Sequence, residues 1–393
     1  MMLFFKKFGC LILFLFAGAM VMAQSIPFKT LSVELQSLQK QLVPDKRVAI
    51  LDIGLQDTLQ PKPVISGETD LPEAKAQIIQ YLTDNKIQFI DSIRLLPDIA
   101  LGEKIWALAT LSVSNIRALP DDASELVSQA LMGTPLRVLD YKNKFYRVQT
   151  PDKYIGWMDA GGLQLFTEKE LGRWKGTKRF LFISMSGYAC DAPRKKAEVV
   201  SDLVIGDLFE VEAKVRGYLI IRLPDGRSGY VRKSHCISFE DWSNTDPKVS
   251  SIVSVARNMM GSPYLWGGAS SKANDCSGFV KVAYYAQGII LARDASQQAK
   301  YGEPVDFSKI ENLQPGDLLF FGRDERHITH TGIYLGNGDF IHSSGRVLIS
   351  SIDPTDPKYN PARKSQAARR VMHSLNTEGI VRVKDHPWYI NKP

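Results

Sequence analysis

The chain has 393 residues and a formal net charge of +7; 44% of its residues are hydrophobic and 23% charged. These proportions exclude a disordered chain or a coiled coil, and the length allows two to four domains at roughly 100–200 residues each. The basic excess is modest and dispersed, so it suits an anionic surface such as a cell envelope and leaves no footprint for nucleic acid. Residues 1–23 read as an export signal. Lys6 and Lys7 precede a short apolar run from Cys10 to Met22, and Val21-Met22-Ala23 offers a small-residue cleavage site before Gln24. The run is shorter than the ~20 apolar residues that cross a bilayer; an uncleaved anchor is the alternative. Cys10 comes before the apolar run, where a lipid-modified cysteine would come after it. Cleavage removes Lys6, Lys7 and Cys10. The exported chain then carries +5 instead of +7 and keeps three cysteines, Cys190, Cys236 and Cys276. An oxidising compartment permits one disulfide among three thiols and leaves one free.

In chain order, "TLSVELQSLQKQLV" (30–43) predicts a short amphipathic helix and "RVAILDI" (47–53) a buried strand. "LPEAKAQIIQYLTDN" (71–85) predicts a helix, with Pro72 at its start and Ile78, Ile79 and Leu82 on one side. "KIWALATLSV" (104–113) predicts another strand. Residues 24–110 are thus expected to form a small mixed α/β segment. No other apolar stretch reaches membrane-spanning length, so the exported chain is expected to carry no span and to be a soluble monomer.

An internal repeat comes next. "GTPLRVLDYKNKFYRVQTPDKYIGWM" from Gly133 aligns without a gap on "GDLFEVEAKVRGYLIIRLPDGRSGYV" from Gly206, at an offset of 73 residues. Val138 matches Val211, Val148 matches Ile221, Pro151-Asp152 matches Pro224-Asp225, and Gly156-Trp157 matches Gly229-Tyr230. Both copies alternate apolar and polar residues in short runs broken by turn signals, the pattern of a small β-barrel. The arrangement resembles bacterial SH3-like domains of cell-wall proteins, expected over 111–172 and 173–243, with the α/β segment packed on the first of them. Cys190 and Cys236 lie near the two ends of the second copy. They are either a disulfide closing a long loop, worth about 4 kcal/mol if unstrained, or two free thiols.

After the linker "NTDPKVSSIV" (244–253) the composition shifts toward Gly, Ser, His and aromatics, and 247–393 reads as a further domain. "SSKANDCSGFVKVAYYAQG" places a loop before a helix, with Asp275 at the boundary and Phe279, Val280, Ala283 and Tyr284 at helical spacing. Cys276 therefore falls in the first turn. The positive end of the helix and its free N–H groups favour a thiolate there, and such cysteines have pKa values of ~3.5–7.5. "PGDLLFFG" (315–322) predicts a turn and buried strand, and "HTGIYLGNGDFIHSS" (330–344) a β-hairpin turning at Gly336-Asn337-Gly338. His330 and His342 then face each other across the ladder, roughly 5–8 Å apart, close enough for one imidazole to orient the other. A cysteine, a histidine base and an orienting residue make a nucleophile constellation. The cluster Arg363, Lys364, Arg369 and Arg370 reads as a solvated basic face.

The motifs "GSPYLWGG" (261–268), "DCSGF" (275–279), "RDASQQ" (293–298), "LQPGDLLFF" (313–321), "HTGIYLG" (330–336) and "FIHSS" (340–344) stand in the order found in NlpC-type cell-wall cysteine peptidases, which this segment resembles. With the tandem barrels, the architecture is similar to that of secreted γ-D-glutamyl-L-diamino-acid endopeptidases acting on murein stem peptides. The resemblance implies an α+β multidomain fold ending in a pared-down papain-like domain, and hydrolysis of the bond after γ-D-Glu with release of L-Ala-γ-D-Glu. It implies no cofactor and no metal. Cys276 would be the nucleophile, His330 the general base and acid, and His342 the orienter. Tyr264 would line the reaction centre; Asp275 and Ser277 would contact substrate, with Ser296 taken over Asp294 as the polar contact of its loop. Glu125 and Tyr154 would hold the substrate's free amino terminus, as a carboxylate and a hydroxyl suit an ammonium in a closed pocket.

Three other readings stay open on the residues alone. One is an inactive wall-peptide-binding protein, against which the intact Cys, His, His set weighs. Another is a zinc site of Cys276, His330 and His342 with His327, which lacks a second nearby cysteine. The last is acyl transfer to lipids or amides by the same three residues.

Overall fold

Leu31 and Leu35 recur at helical spacing, as do Ala74, Ile78 and Leu82, and these two apolar stripes must be covered by something. In the computed structural model, which describes residues 28–56 and 62–391, they close on one sheet. The helices are Phe28–Leu42 and Pro72–Asp84. The sheet runs Leu51–Gln56, Val64–Thr69, Ile90–Leu95; its first pair is antiparallel and its second parallel. The export signal read over 1–23 lies outside the described residues. Among those residues no helix is long and apolar enough to cross a membrane.

The single strand expected over 104–113 is two strands, Trp106–Ala109 and Val113–Arg117, and neither joins the opening sheet. Trp106–Ala109 pairs with Pro135–Lys142 and with Leu163–Phe166, so it belongs to the first barrel. The 73-residue offset then extends to the whole barrel. Strands Trp106–Ala109, Val113–Arg117 and Leu126–Leu131 recur as Arg179–Phe182, Ser186–Cys190 and Val199–Val204. Both seven-stranded sheets connect their strands in the same order. Core positions correspond but sizes trade. Ala107 and Ala109 of the first barrel are Phe180 and Phe182 in the second, while Ile116 becomes Ala189. Ser114 becomes Gly187, where an added Cβ would lie 2.6 Å from the Phe182 ring. Each barrel thus fills a similar interior with a different set of volumes. Cys190 and Cys236 are both free thiols, so the second barrel is held by strand pairing and packing without a disulfide.

In the last segment, helix Cys276–Tyr285 packs on a six-stranded sheet, in the order Glu303–Pro304, Ser365–Arg370, Leu318–Gly322, Ile328–Gly336, Asp339–Ser344, Arg346–Ser351. Phe279, Val280, Ala283 and Tyr284 are fully buried between the two. The first barrel docks beside this helix. Gln129 Oε1 accepts from Ala269 N at 2.8 Å, and Asp152 pairs with Lys281, whose Nζ also donates to Leu291 O at 2.9 Å. The opening segment leans on both: Ile155 N donates to Arg47 O at 2.8 Å, and Arg47 Nη1 reaches Asp294 at 2.8 Å. The opening segment, the first barrel and the last domain therefore meet around the start of one helix.

Candidate active site

Cys276 begins its helix because Asp275 caps it: Asp275 Oδ1 accepts from Gly278 N at 2.7 Å. That carboxylate is held in turn by Arg293, whose Nη2 and Nη1 donate to Oδ2 at 2.6 Å and to Oδ1 at 3.1 Å. Arg293 is 1% exposed and also bonds Ser277 Oγ and Ser128 Oγ. Oδ2 accepts a further bond from Gly267 N at 3.0 Å. Asp275 and Ser277 are thus engaged by their own neighbours. Gly278 is required by space, since a Cβ there would lie 2.0 Å from Gly268 O.

The histidines stand on the predicted hairpin, whose strands pair Ile333 with Ile341 and Tyr334 with Phe340. A bulge between Tyr334 and Gly336 shifts the register beside the turn. His330 Nε2 lies 2.9 Å from His342 Nδ1, with ring centroids 5.0 Å apart. His342 is fully buried, and its Nε2 bonds Ser350 Oγ at 3.0 Å on the next strand. Gly332 makes room for it, because a Cβ at that position would lie 2.9 Å from His342 Cβ. His330 thus turns Nε2, not Nδ1, toward His342.

The electrostatics differ from the helix-start expectation. Burial, followed by the Asp275 carboxylate, pushes the Cys276 thiol up to about 11, against backbone N–H groups of Thr331 and Ser277 that favour the thiolate. Burial and the charge of Arg363 hold His330 down to about 3. At rest the thiol and the imidazole are therefore both neutral. Alkylation of Cys276 by iodoacetamide, read by peptide mass mapping, is expected to quicken about tenfold per pH unit from 7 to 10. A plateau below pH 8 would mean a preformed thiolate.

Arg363 is the largest departure from the sequence reading. The four basic residues do not form a solvated face. Arg370 is paired with Asp317 at 2.8 Å, Arg369 Nε donates to Ala299 O at 2.8 Å, and Lys364 alone is exposed. Arg363 folds back onto the imidazoles. Its Nη1 lies 2.6 Å from His342 Nδ1 and 3.0 Å from His330 Nε2, and its Nη2 donates to Ser344 Oγ at 3.0 Å.

One cleft collects all the substrate-contact candidates: Glu125, Tyr154, Tyr264, Asp275, Ser277 and Ser296 line it together with Cys276. Glu125 accepts from Trp266 Nε1 at 2.6 Å. Tyr154 is buried, with its hydroxyl pKa raised by burial and by the nearby Asp294 charge. Tyr264 is half-buried and pushed up to about 12 by burial, so it stays a hydrogen-bond donor. Ser296 Oγ accepts from Arg47 Nη1 at 3.0 Å. Arg47, from the opening segment, also lines the cleft and was not among the sequence candidates. His327 is exposed, with Nδ1 2.7 Å from Asp324. Among the described residues no group of three or more His, Cys, Asp or Glu side chains is placed to hold a metal.

Known proteins are similar to this chain. The model for the NlpC/P60 family matches residues 261–367, and that for the bacterial dipeptidyl-peptidase SH3 domain matches 116–163. Dipeptidyl-peptidase 6 of Lysinibacillus sphaericus is 27% identical over 263 residues, 64% of this chain and 94% of its own. The gamma-D-glutamyl-L-lysine dipeptidyl-peptidase of Bacillus subtilis is 30% identical over 226 residues, 55% of this chain and 71% of its own. An NlpC/P60 family protein of known structure from Bacillus cereus has the same fold, with a TM-score of 0.59 at 23% identity, covering 67% of this chain and 99% of that one. The fold and these matches define a hydrolase of the cysteine-peptidase class carrying SH3-like barrels. The chain belongs to the NlpC/P60 family.

Proposed function

We propose that the protein is an exported cell-envelope endopeptidase that cleaves murein stem peptides after γ-D-Glu, acts on peptides with a free N-terminal L-Ala, and releases L-Ala-γ-D-Glu. The observation that carries this reading is that Glu125 and Tyr154 of the first barrel line the same cleft as Cys276. The barrel thereby supplies one wall of the cleft, and a carboxylate on that wall suits an ammonium. The names of the relatives, which specify a γ-D-glutamyl bond and dipeptide release, support the same substrate class.

In the proposed mechanism Cys276 Sγ attacks the γ-carbonyl carbon as its proton passes to His330. Tyr264 donates to the developing oxyanion. His330, oriented by His342, gives that proton to the departing amine of the diamino acid, leaving a thioester on Cys276. Water attacks the thioester with His330 as base, and the sulfur leaves and takes the proton back. Asp275 and Ser277 line the cleft and fix the helix start through Arg293, while Ser296 and Arg47 shape the cleft wall.

The test compares L-Ala-γ-D-Glu-diamino acid with its N-acetylated form. The free peptide is expected to be cut and the acetylated one to lose most of its kcat/KM. Equal cleavage of both would remove Glu125 and Tyr154 from the substrate's amino terminus. Binding of the free peptide without cleavage would favour a wall-peptide-binding protein.

A further inference from the structure

Arg363 is a half-buried cation with no carboxylate partner among the described residues, unlike the other buried arginine of the site, Arg293, which is held by Asp275. Burial lowers its pKa, and the opposing influence is the Cys276 sulfur. Its Nη1 instead crowds two imidazoles that are themselves linked, so His330 Nε2 and Arg363 Nη1 both point at His342 Nδ1. One lone pair cannot serve two donors well. A guanidinium set this way, its charge uncompensated and its neighbours neutral, is poised for an incoming anion, and a carboxylate matches its fork.

The position decides which carboxylate. Arg363 does not line the cleft that holds Glu125, Tyr154 and Ser296; it stands beside the histidines. The amine that leaves must take its proton from His330, so the residue carrying that amine lies on the histidine side. Resting on the function proposed above, we propose that Arg363 is a specificity residue that binds a carboxylate of the released diamino acid. That carboxylate is either the one on the side chain, as in meso-diaminopimelate, or the α-carboxylate of a C-terminal third residue. Capture of the carboxylate draws Nη1 from His342 Nδ1 and leaves that nitrogen to accept from His330 alone.

The experiment measures kcat/KM of the full chain, wild type and Arg363→Gln, on four peptides. Three are L-Ala-γ-D-Glu-meso-diaminopimelate, the same with its side-chain carboxylate amidated, and the same with its α-carboxylate amidated. The fourth carries L-Lys in third position. Wild type is expected to favour the peptide with the recognised carboxylate by about tenfold or more over the peptide in which it is amidated. The arm that shows the drop identifies which carboxylate is bound, and the L-Lys peptide follows the side-chain arm. In Arg363→Gln the acid-to-amide ratio is expected to fall to about one, and Arg363→Lys to restore part of it. A ratio that survives in Arg363→Gln, both rates falling together, would show that Arg363 only positions the histidines and would overturn the proposal. So would a wild type indifferent to both amidations. Failure of the wild type to cut any of the four would instead overturn the proposed function, and this inference with it.

Discussion

Alanine at Cys276 is expected to abolish hydrolysis of the free tripeptide, and alanine at His330 to lower kcat/KM about 10²–10⁴-fold. The loss follows from the resting state of the pair. With the thiol pushed up to about 11, the sulfur is protonated at neutral pH and cannot attack unless a neighbouring group takes its proton. His330, held down to about 3, is neutral at that pH and is the base to which the proposed mechanism assigns that proton. In the proposed mechanism the same ring later protonates the leaving amine, so its removal is expected to slow both halves of the reaction. His342→Ala is expected to cost less than His330→Ala, because in the proposed mechanism His342 acts through His330, from which it is 2.9 Å distant. The double variant Cys276→Ala/His330→Ala should be no worse than Cys276→Ala alone, since the two residues serve one step. Additive losses would separate them.

Arg293→Ala is expected to destabilise the protein by about 3–5 kcal/mol in urea denaturation, because it strands the buried Asp275 carboxylate. That carboxylate is the cap of the helix that Cys276 begins and accepts from Gly267 N and Gly278 N as well. Arg293 also ties the helix start to Ser128 of the first barrel at 3.1 Å, so the loss should reach the docking of the barrel. Replacing both members, Arg293→Ala with Asp275→Ala, is expected to cost less than the two single losses together, by ~0.5–3 kcal/mol. Strict additivity would mean that the pair does not act as a unit.

The parts of this molecule that depend on local pattern were legible in the amino-acid order. The helix after Asp275 follows from the spacing of Phe279, Val280, Ala283 and Tyr284, and the hairpin from Gly336-Asn337-Gly338, so the facing histidines could be foreseen. The gapless offset of 73 residues exposed the tandem barrels. What escaped depends on where distant chain ends up. Trp106–Ala109 has the composition of any buried strand, and only its pairing with Pro135–Lys142 assigns it to a barrel. Arg47 reaches Ser296 across 249 positions of sequence. Arg363 sits in a cluster of basic residues that looks like an ordinary wet surface, and its turn onto His342 has no local signature. Asp275 was legible as the boundary of the helix, but not that it would cap it or that Arg293 would occupy both of its oxygens. Helix position suggested a low thiol pKa; the depth of burial, invisible in a single sequence, reverses it.

In the proposed reaction Cys276 carries the L-Ala-γ-D-Glu acyl group as a thioester between two half-reactions, and that intermediate can be trapped. Wild-type enzyme turning over the free tripeptide is quenched with acid, and its intact mass and peptide map are recorded. The expected adduct equals the dipeptide less one water, is located on Cys276 and is absent from Cys276→Ala. An adduct that retains the diamino acid, or turnover that persists in Cys276→Ala with no adduct, would contradict the thioester and with it the role given to the sulfur.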